Sequence, residues 1–416
     1  MLGLRANIAL SLSLLAAIAA AAPAPQSNGA SCTMPPAKSN MITVGKAVYF
    51  ITNDAENAVV ALPIGKDGML SKGTVTKTGG AGSNAVNGTT KAPLSPDALL
   101  SQSALTVVGS NVFAVNAGSN TLSMLQISAQ DPTCLTMIGQ PVKIPGEFPN
   151  TVSASMKNRL VCVGTTGAIA GVSCTNFSAE QGLGQMDALR SFRIGQTTPP
   201  SGPLNTVSHT FFSSDESMLF TTVKGDPTVK NNGFLSVFPI QQSGSMARLS
   251  MTEMRSSPNG TAVLFGSAPI PNRPNSIFVT DASFGAAILS LDKSSKATVA
   301  HSQAIQGQTA TCWVTISPAT MSAYVTDVGK NHVVEMSLDD AKIIKELDLS
   351  ANGDLGLIDL RAAGSFVYAL SPGNAMIGGA ITVLDVSGGK GSMKQVQHFK
   401  LAGIAGANSM GMAVMV

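Results

Sequence analysis

The chain has 416 residues, 44% of them hydrophobic, enough to bury one large core or two ordinary ones. Charged residues make up only 12%, against roughly 25% in a typical soluble domain, and the net charge is +3. With no basic run and no aromatic-basic patch, nucleic acid is not an expected partner, while the 41 glycines suit a structure made of many turns.

The first segment reads as a targeting signal. Arg5 precedes an apolar run over residues 8–22, and Ala19 and Ala21 fit an A-x-A cleavage site. Residues 1–21 are therefore expected to be a signal peptide, 22–40 a tail, and 41–416 one domain. The apolar run is too short to favour a spanning helix, which needs ~20 residues. No later segment is long and apolar enough to span a bilayer. The expected location is outside the cell or in the cell wall, where disulfides persist.

From residue 41 onward one phrase recurs. It begins with aromatic or apolar residues, reaches Asn or Asp, turns on polar residues and Gly, and continues as a second alternating run. The first runs are VYFITN from Val48, VFAVN from Val112, LVCVG from Leu160, LFTTV from Leu219, IFVTD from Ile277, AYVTD from Ala323 and FVYALS from Phe366. Their spacing, roughly fifty residues and variable, means one unit repeated with loops of changing length. A short run precedes most of them: MITV at Met41, ALTVV at Ala104, NTVSAS at Asn150, NTVSHTFF at Asn205, CWVTI at Cys312 and LIDLR at Leu357. In the fifth repeat the corresponding segment, APIPNRPN, is broken by prolines. Third and fourth strands follow each turn, and helical periodicity is not sustained anywhere. Seven four-stranded antiparallel blades around an axis make an all-β propeller. The terminal run over 410–416 resembles a first strand without a second. It is expected to pair beside the N-terminal strands and close the ring.

Such a ring has two faces. Loops joining strand two to three, and four to the next first strand, share one face; the other loops share the opposite one. The first set holds the long segments 78–102, 195–203, 224–233 and 255–273, so binding is expected there. Asn53, Asn116, Asp281 and Asp327 end second strands, with Asn57, Asn120, Gly285 and Asn331 four residues on. Short polar side chains bond turn backbone, so these read as turn devices rather than ligands.

Of the five cysteines, Cys162 ends a second strand and Cys174 begins a third across a Gly-rich hairpin, which predicts a Cys162–Cys174 disulfide. Cys32, Cys134 and Cys312 leave an odd thiol. None has zinc spacing, and neither a metal nor a cofactor is expected. The sequons at Asn87, Asn176 and Asn259 are candidate glycan sites.

AYVTDVGKNHVVEMSL and VFAVNAGSNTLSMLQI resemble the YVTN and lactonase-type seven-bladed propellers. In layout, in LNTVSHTFFSSDESMLF and in the APAPQ segment, the chain is similar to secreted fungal 3-carboxymuconate cyclase-like glycoproteins, some of them surface antigens. The resemblance implies cycloisomerisation of a carboxylated muconate to a lactone, or lactone hydrolysis. Such chemistry needs cations for the substrate carboxylates and a positioned acid or base. The candidates are His209, Glu147, Arg273 and Arg361, with Glu147 and Arg273 expected near the long-loop face. Aligned on the family's FSPD, its paired histidines fall on Thr206 and Ser208. His209 is one residue out of step, so it points away from the channel unless a bulge restores the register. His301, His332 and His398 fall on later strands and read as surface or half-buried residues.

Three functions follow: a secreted binding or cell-surface glycoprotein with weakened or lost catalysis, an active cycloisomerase or lactonase on a small polycarboxylate, or a carbohydrate- or matrix-binding adhesin. The expected partner is a small carboxylated ligand or a cell-surface or matrix component, and the expected state is a monomer.

Overall fold

Runs rich in Val, aromatic residues and Thr dominate the second strand of every unit, and their burial is nearly complete. All positions of Ala47–Ile51, Asn111–Asn116 and Ser322–Asp327 are buried. A strand covered on both faces reads as a continuous apolar run rather than as alternation. That is the signature of a sheet sandwiched between two others. The computed structural model describes residues 44–416 apart from Ser245 and Ala375, and its architecture is a seven-bladed β-propeller. Secondary structure is almost wholly strand, with two short 3₁₀ turns at Pro227–Val229 and Ser350–Asn352. Among the described residues no helix is long and apolar enough to cross a membrane.

Each blade is an antiparallel meander. First strands touch first strands of neighbouring blades around the axis, and fourth strands form the rim. In blades two, three and four the outermost strand is split into two short pieces, both paired with the third strand. The expected signal peptide, the expected 22–40 tail, Cys32 and most of the MITV run lie outside the described residues. The inner place in blade one is taken by the C-terminal strand Met410–Met415, which pairs with Ala47–Ile51. The ring is closed by joining the two ends of the propeller in one sheet.

The fifth blade departs from expectation. Its inner strand is Leu264–Pro269, upstream of the proline cluster, which instead forms the turn into Ser276–Asp281. The segment 255–273 is thus not one long loop. The turn residues behave as read. Asp281 accepts from the Ala262 and Val263 N–H groups, and Asp327 from those of Thr309 and Ala310. Asn53 bonds both backbone groups of Ser83. Asn53, Asp281 and Asp327 thus satisfy backbone of the chain entering the blade or of the loop leaving it, whereas the Asn116 side chain bonds only the side chains of Asn57, Thr78, Thr121 and Ser123.

An inner strand has one edge paired with strand two and one edge facing the axis. Those free edges are closed in two ways. Side chains of one blade accept from backbone N–H groups of the next: Thr151 Oγ1 from Thr210 (3.0 Å), His209 Nδ1 from Ser267 (3.2 Å), Thr315 Oγ1 from Ala362 (3.1 Å) and Asp359 Oδ2 from Met412 (2.9 Å). The other device is the segment 97–103, at the end of the long loop that leads into blade two. Ser101 Oγ donates to Asn150 O in blade three, and Gln102 N–H to Ser208 O in blade four. Gln102 forms a two-bond amide pair with Val314 in blade six, and Trp313 Nε1 donates to Ser101 O. Ser103 N–H donates to Asp359 in blade seven. One short segment reaching blades three, four, six and seven must lie on the axis, so it plugs the channel. Leu99, Leu100, Ser101 and Gln102 are buried to within 2%.

Blade five makes room for the plug. As Ser208 lies within the register shift between Val207 and His209 in blade four, Gly266 lies within that between Leu264 and Ser267. A Cβ there would lie 2.2 Å from Gln102 Oε1 and 2.6 Å from the Cys312 carbonyl oxygen. Gly266→Ala is therefore expected to lower stability by about 1–3 kcal/mol, as overpacking does. Because the Cys312 carbonyl is backbone, Gln102→Ala should not rescue it. Denaturant unfolding of the two single variants and the double variant checks this.

Candidate functional site

His209 lies on the inner strand Val207–Phe212 of blade four, where the pairing slips at Ser208. The bulge offsets the one-residue displacement seen in the sequence. It brings His209 against Ser103 of the plug, with Nε2 3.0 Å from Ser103 Oγ. Arg361, on Ile358–Ala363 of blade seven, donates to the same Ser103 oxygen (2.6 Å) and to Asp359 Oδ1 (2.7 Å). Two sequence candidates from opposite parts of the ring thus converge on one hydroxyl. The other two do not. Glu147 accepts from Thr198 Oγ1 and ties two loops of the long-loop face. Arg273 sits in the turn between the first two strands of blade five, hence on the opposite face. There its guanidinium pairs with Asp339 and donates to Leu338 O. The expectation that Arg273 lies near the long loops is corrected: the inner strand sits earlier than supposed, which moves the residue past it. His301 is exposed, His332 half-buried, and His398 bonds Asp354 through Nε2 (3.0 Å).

Hydrogen-bond direction decides what the cluster can do. His209 is buried, and burial together with the nearby Arg361 charge holds its imidazole far below the usual range, so the ring is neutral. Nδ1 accepts from the Ser267 N–H, which leaves the ring proton on Nε2. His209 therefore donates to Ser103 and does not abstract from it. Ser103 Oγ also accepts from Arg361, so both its lone pairs are used. A serine nucleophile needs the reverse tautomer. Asp359 accepts from Leu360 N–H, Met412 N–H, Ser103 N–H and Arg361. Burial pushes its carboxyl up, and the guanidinium pulls it back. The Arg361 charge is spent on this carboxylate.

Above this level lies a second buried group that the sequence reading missed. Lys224, 2% exposed, donates from Nζ to Leu100 O of the plug (2.8 Å) and stands 4.4 Å over the Phe265 ring. Burial lowers its pKa to about 8 and raises that of nearby Asp97 to about 6. Each charge partly offsets the other's shift. Cys312, a buried free thiol, is held protonated by the same burial. The only signal for Lys224 in the sequence was a lysine directly after an apolar second strand, which also describes a solvated loop residue. Among the described residues no group of His, Cys, Asp and Glu could hold a metal ion.

Elsewhere, Cys162 and Cys174 are directly paired in the third blade and form a disulfide with Cα atoms 4.1 Å apart. Cys134 is also disulfide-bonded.

No family model matches the chain, and no curated protein does. Solved structures do. The periplasmic gluconolactonase PpgL of Pseudomonas aeruginosa superposes with a TM-score of 0.60 at 15% identity, over 89% of this chain and 99% of that one. A putative 6-phosphogluconolactonase from Bacteroides uniformis gives 0.52 at 16% identity, over 68% of this chain and 80% of that one. Kuenenia stuttgartiensis hydrazine synthase gives 0.51 at 12% identity, over 86% and 99%. At these identities the shared property is the propeller fold, and the same fold carries unrelated chemistry.

The ring role of His209 makes a specific expectation. Thr151 and Thr315 do the same work in blades three and six, so His209→Thr should keep most of the stability. His209→Ala, which leaves the Ser267 N–H unsatisfied and opens a cavity, should cost about 2–4 kcal/mol. The neutral buried imidazole also makes stability pH-dependent. The unfolded chain takes up a proton below about pH 6.5 while the folded one resists, so stability falls as pH drops through that value. Chemical denaturation of wild type and His209→Thr from pH 7.5 to 5 should show this component only in the wild type.

Proposed function

We propose that this chain is a secreted glycoprotein on a lactonase-type propeller, with its channel chemistry lost and its role one of binding at or outside the cell surface. The observation that carries the reading is the channel itself. Residues 97–103 occupy the axis where a substrate would sit, and the candidate base is a hydrogen-bond donor to the plug. A lactone or muconate with two or three carboxylates requires several unpaired cations. Arg361 is neutralised by Asp359, and Lys224 is covered by the plug. The N-terminal sequence features at 1–21 support export, and the sequons support glycosylation.

A second reading, an active 3-carboxymuconate cyclase-like or lactonase-type enzyme, is favoured by one feature: His209 and Arg361 do converge. Sugar binding by aromatic stacking is not favoured, because Trp313, Tyr49, Tyr324 and Tyr368, all the Trp and Tyr of the chain, are fully buried. Purified protein incubated with 3-carboxymuconate and, separately, with its lactone should give no turnover above background. Saturable turnover abolished by His209→Ala would replace the binding reading with the enzymatic one.

The three sequons differ in accessibility. Asn259 is exposed beside Gly260, and Asn87 keeps its Nδ2 free while its Oδ1 caps Thr89 and Thr90. Asn176 Nδ2 donates to Arg159 O and Ala247 O. Glycopeptide mapping of secreted protein should find Asn259 and Asn87 modified and Asn176 bare.

A further inference from the structure

Far from the axis, a cleft of about 310 Å³ opens on the short-turn face between blades three and four. One wall is the turn joining the first two strands of blade three, with Lys157, Asn158 and Arg159. The other is the outer hairpin of blade four, with Gln242 and Met246, and Asn176 stands between them. The walls are fastened to one another. Asn176 Nδ2 bridges Arg159 O and Ala247 O, and Gln242 Nε2 donates to Asn158 Oδ1 (3.3 Å). The cleft is therefore pre-formed, which reduces the ordering cost of binding.

Its chemistry is one-sided. The Arg159 guanidinium is exposed and has no hydrogen-bond or ion-pair partner among the described residues. Lys157 Nζ donates only to a neutral acceptor, Asp215 O (2.8 Å). No carboxylate lines the cleft. Of the carboxylates nearest in sequence, Asp215 is occupied by Ser213 and Ser217, Glu216 by Ser155 and the Lys157 N–H, and Glu180 lies in the adjoining turn outside the lining. The amides of Asn158, Asn176 and Gln242 are bonded within the walls, so the unmatched donor of this concave, cross-linked site is the Arg159 guanidinium, with the Lys157 ammonium on the same turn. A guanidinium fork fits two oxygens of one oxyanion.

We propose that this cleft binds a compact oxyanion group, a sulfate ester, phosphate monoester or carboxylate carried by a small polar molecule or a glycan end. The site is separate from the channel and does not depend on whether the channel retains chemistry. It also requires Asn176 to be bare, since a glycan on that side chain would fill the space.

Isothermal titration with inorganic phosphate, N-acetylglucosamine 6-sulfate and galacturonate, each at low and high salt, tests the proposal and separates the three sources. Saturable 1:1 binding of at least one probe is expected, weakened by salt. Arg159→Gln should weaken it about tenfold or more, as loss of a charged hydrogen-bonding group does, and Arg159→Lys should weaken it less. Lys293→Gln, on an exposed turn of blade five, should leave it unchanged. Unfolding midpoints of the variants should match wild type without ligand. The proposal fails if no probe binds saturably, if binding survives the Arg159→Gln, Lys157→Gln double variant, or if Asn176 carries a glycan.

Discussion

Seven strands with one free edge each, all facing a single axis, set the terms for the rest of this molecule. Backbone donors and acceptors on those edges are buried, and a buried unpaired group costs as much as a lost hydrogen bond. Water could fill a wide channel. Here protein does so. Thr151, His209, Thr315 and Asp359 reach from one inner strand to the next, and residues 97–103 close the middle. The long loop before blade two, the bulges in the inner strands and the glycine at 266 serve this one requirement.

The same requirement sets how the polar side chains near the axis are bonded. A histidine and an arginine meet at a serine, which is the raw material of a catalytic site. Each is bonded in the sense that satisfies backbone and neutralises charge. The buried Lys224–Asp97 group tells a similar story. A lysine with its pKa lowered to about 8 could be a functional base in a cleft, yet its ammonium is bonded to a plug carbonyl and covered by Phe265. An unpaired guanidinium lies instead on the short-turn face, at Arg159.

Much of the architecture was legible because it rests on local, repeated signals. Runs such as VYFITN and AYVTD are buried on both faces and end on Asn or Asp for a reason that recurs in each blade. The closing role of 410–416 could be read because a lone first strand needs a partner. Legibility failed where one segment's place depends on another's. The inner strand of blade five is LFGSAP, upstream of the proline-broken APIPNRPN where the repeat pattern placed it, and that shift moves Arg273 to the other face. The plug was seen only as a long loop, since nothing in SPDALLSQS marks it as axial. Ser103 and Asp359 carry no local signature either.

What the sequence determined by itself was the number of blades, their antiparallel order and the way the ring closes. Periodicity and turn chemistry act over a few residues and are written where they act. What only the tertiary structure decided was which side chains share a hydroxyl or a carbonyl across the axis. His209 and Ser103 are more than a hundred positions apart, and Ser103 and Arg361 more than two hundred and fifty. Whether a histidine there is a base or a strut depends on which ring nitrogen faces a backbone N–H, and a neighbouring blade supplies that N–H.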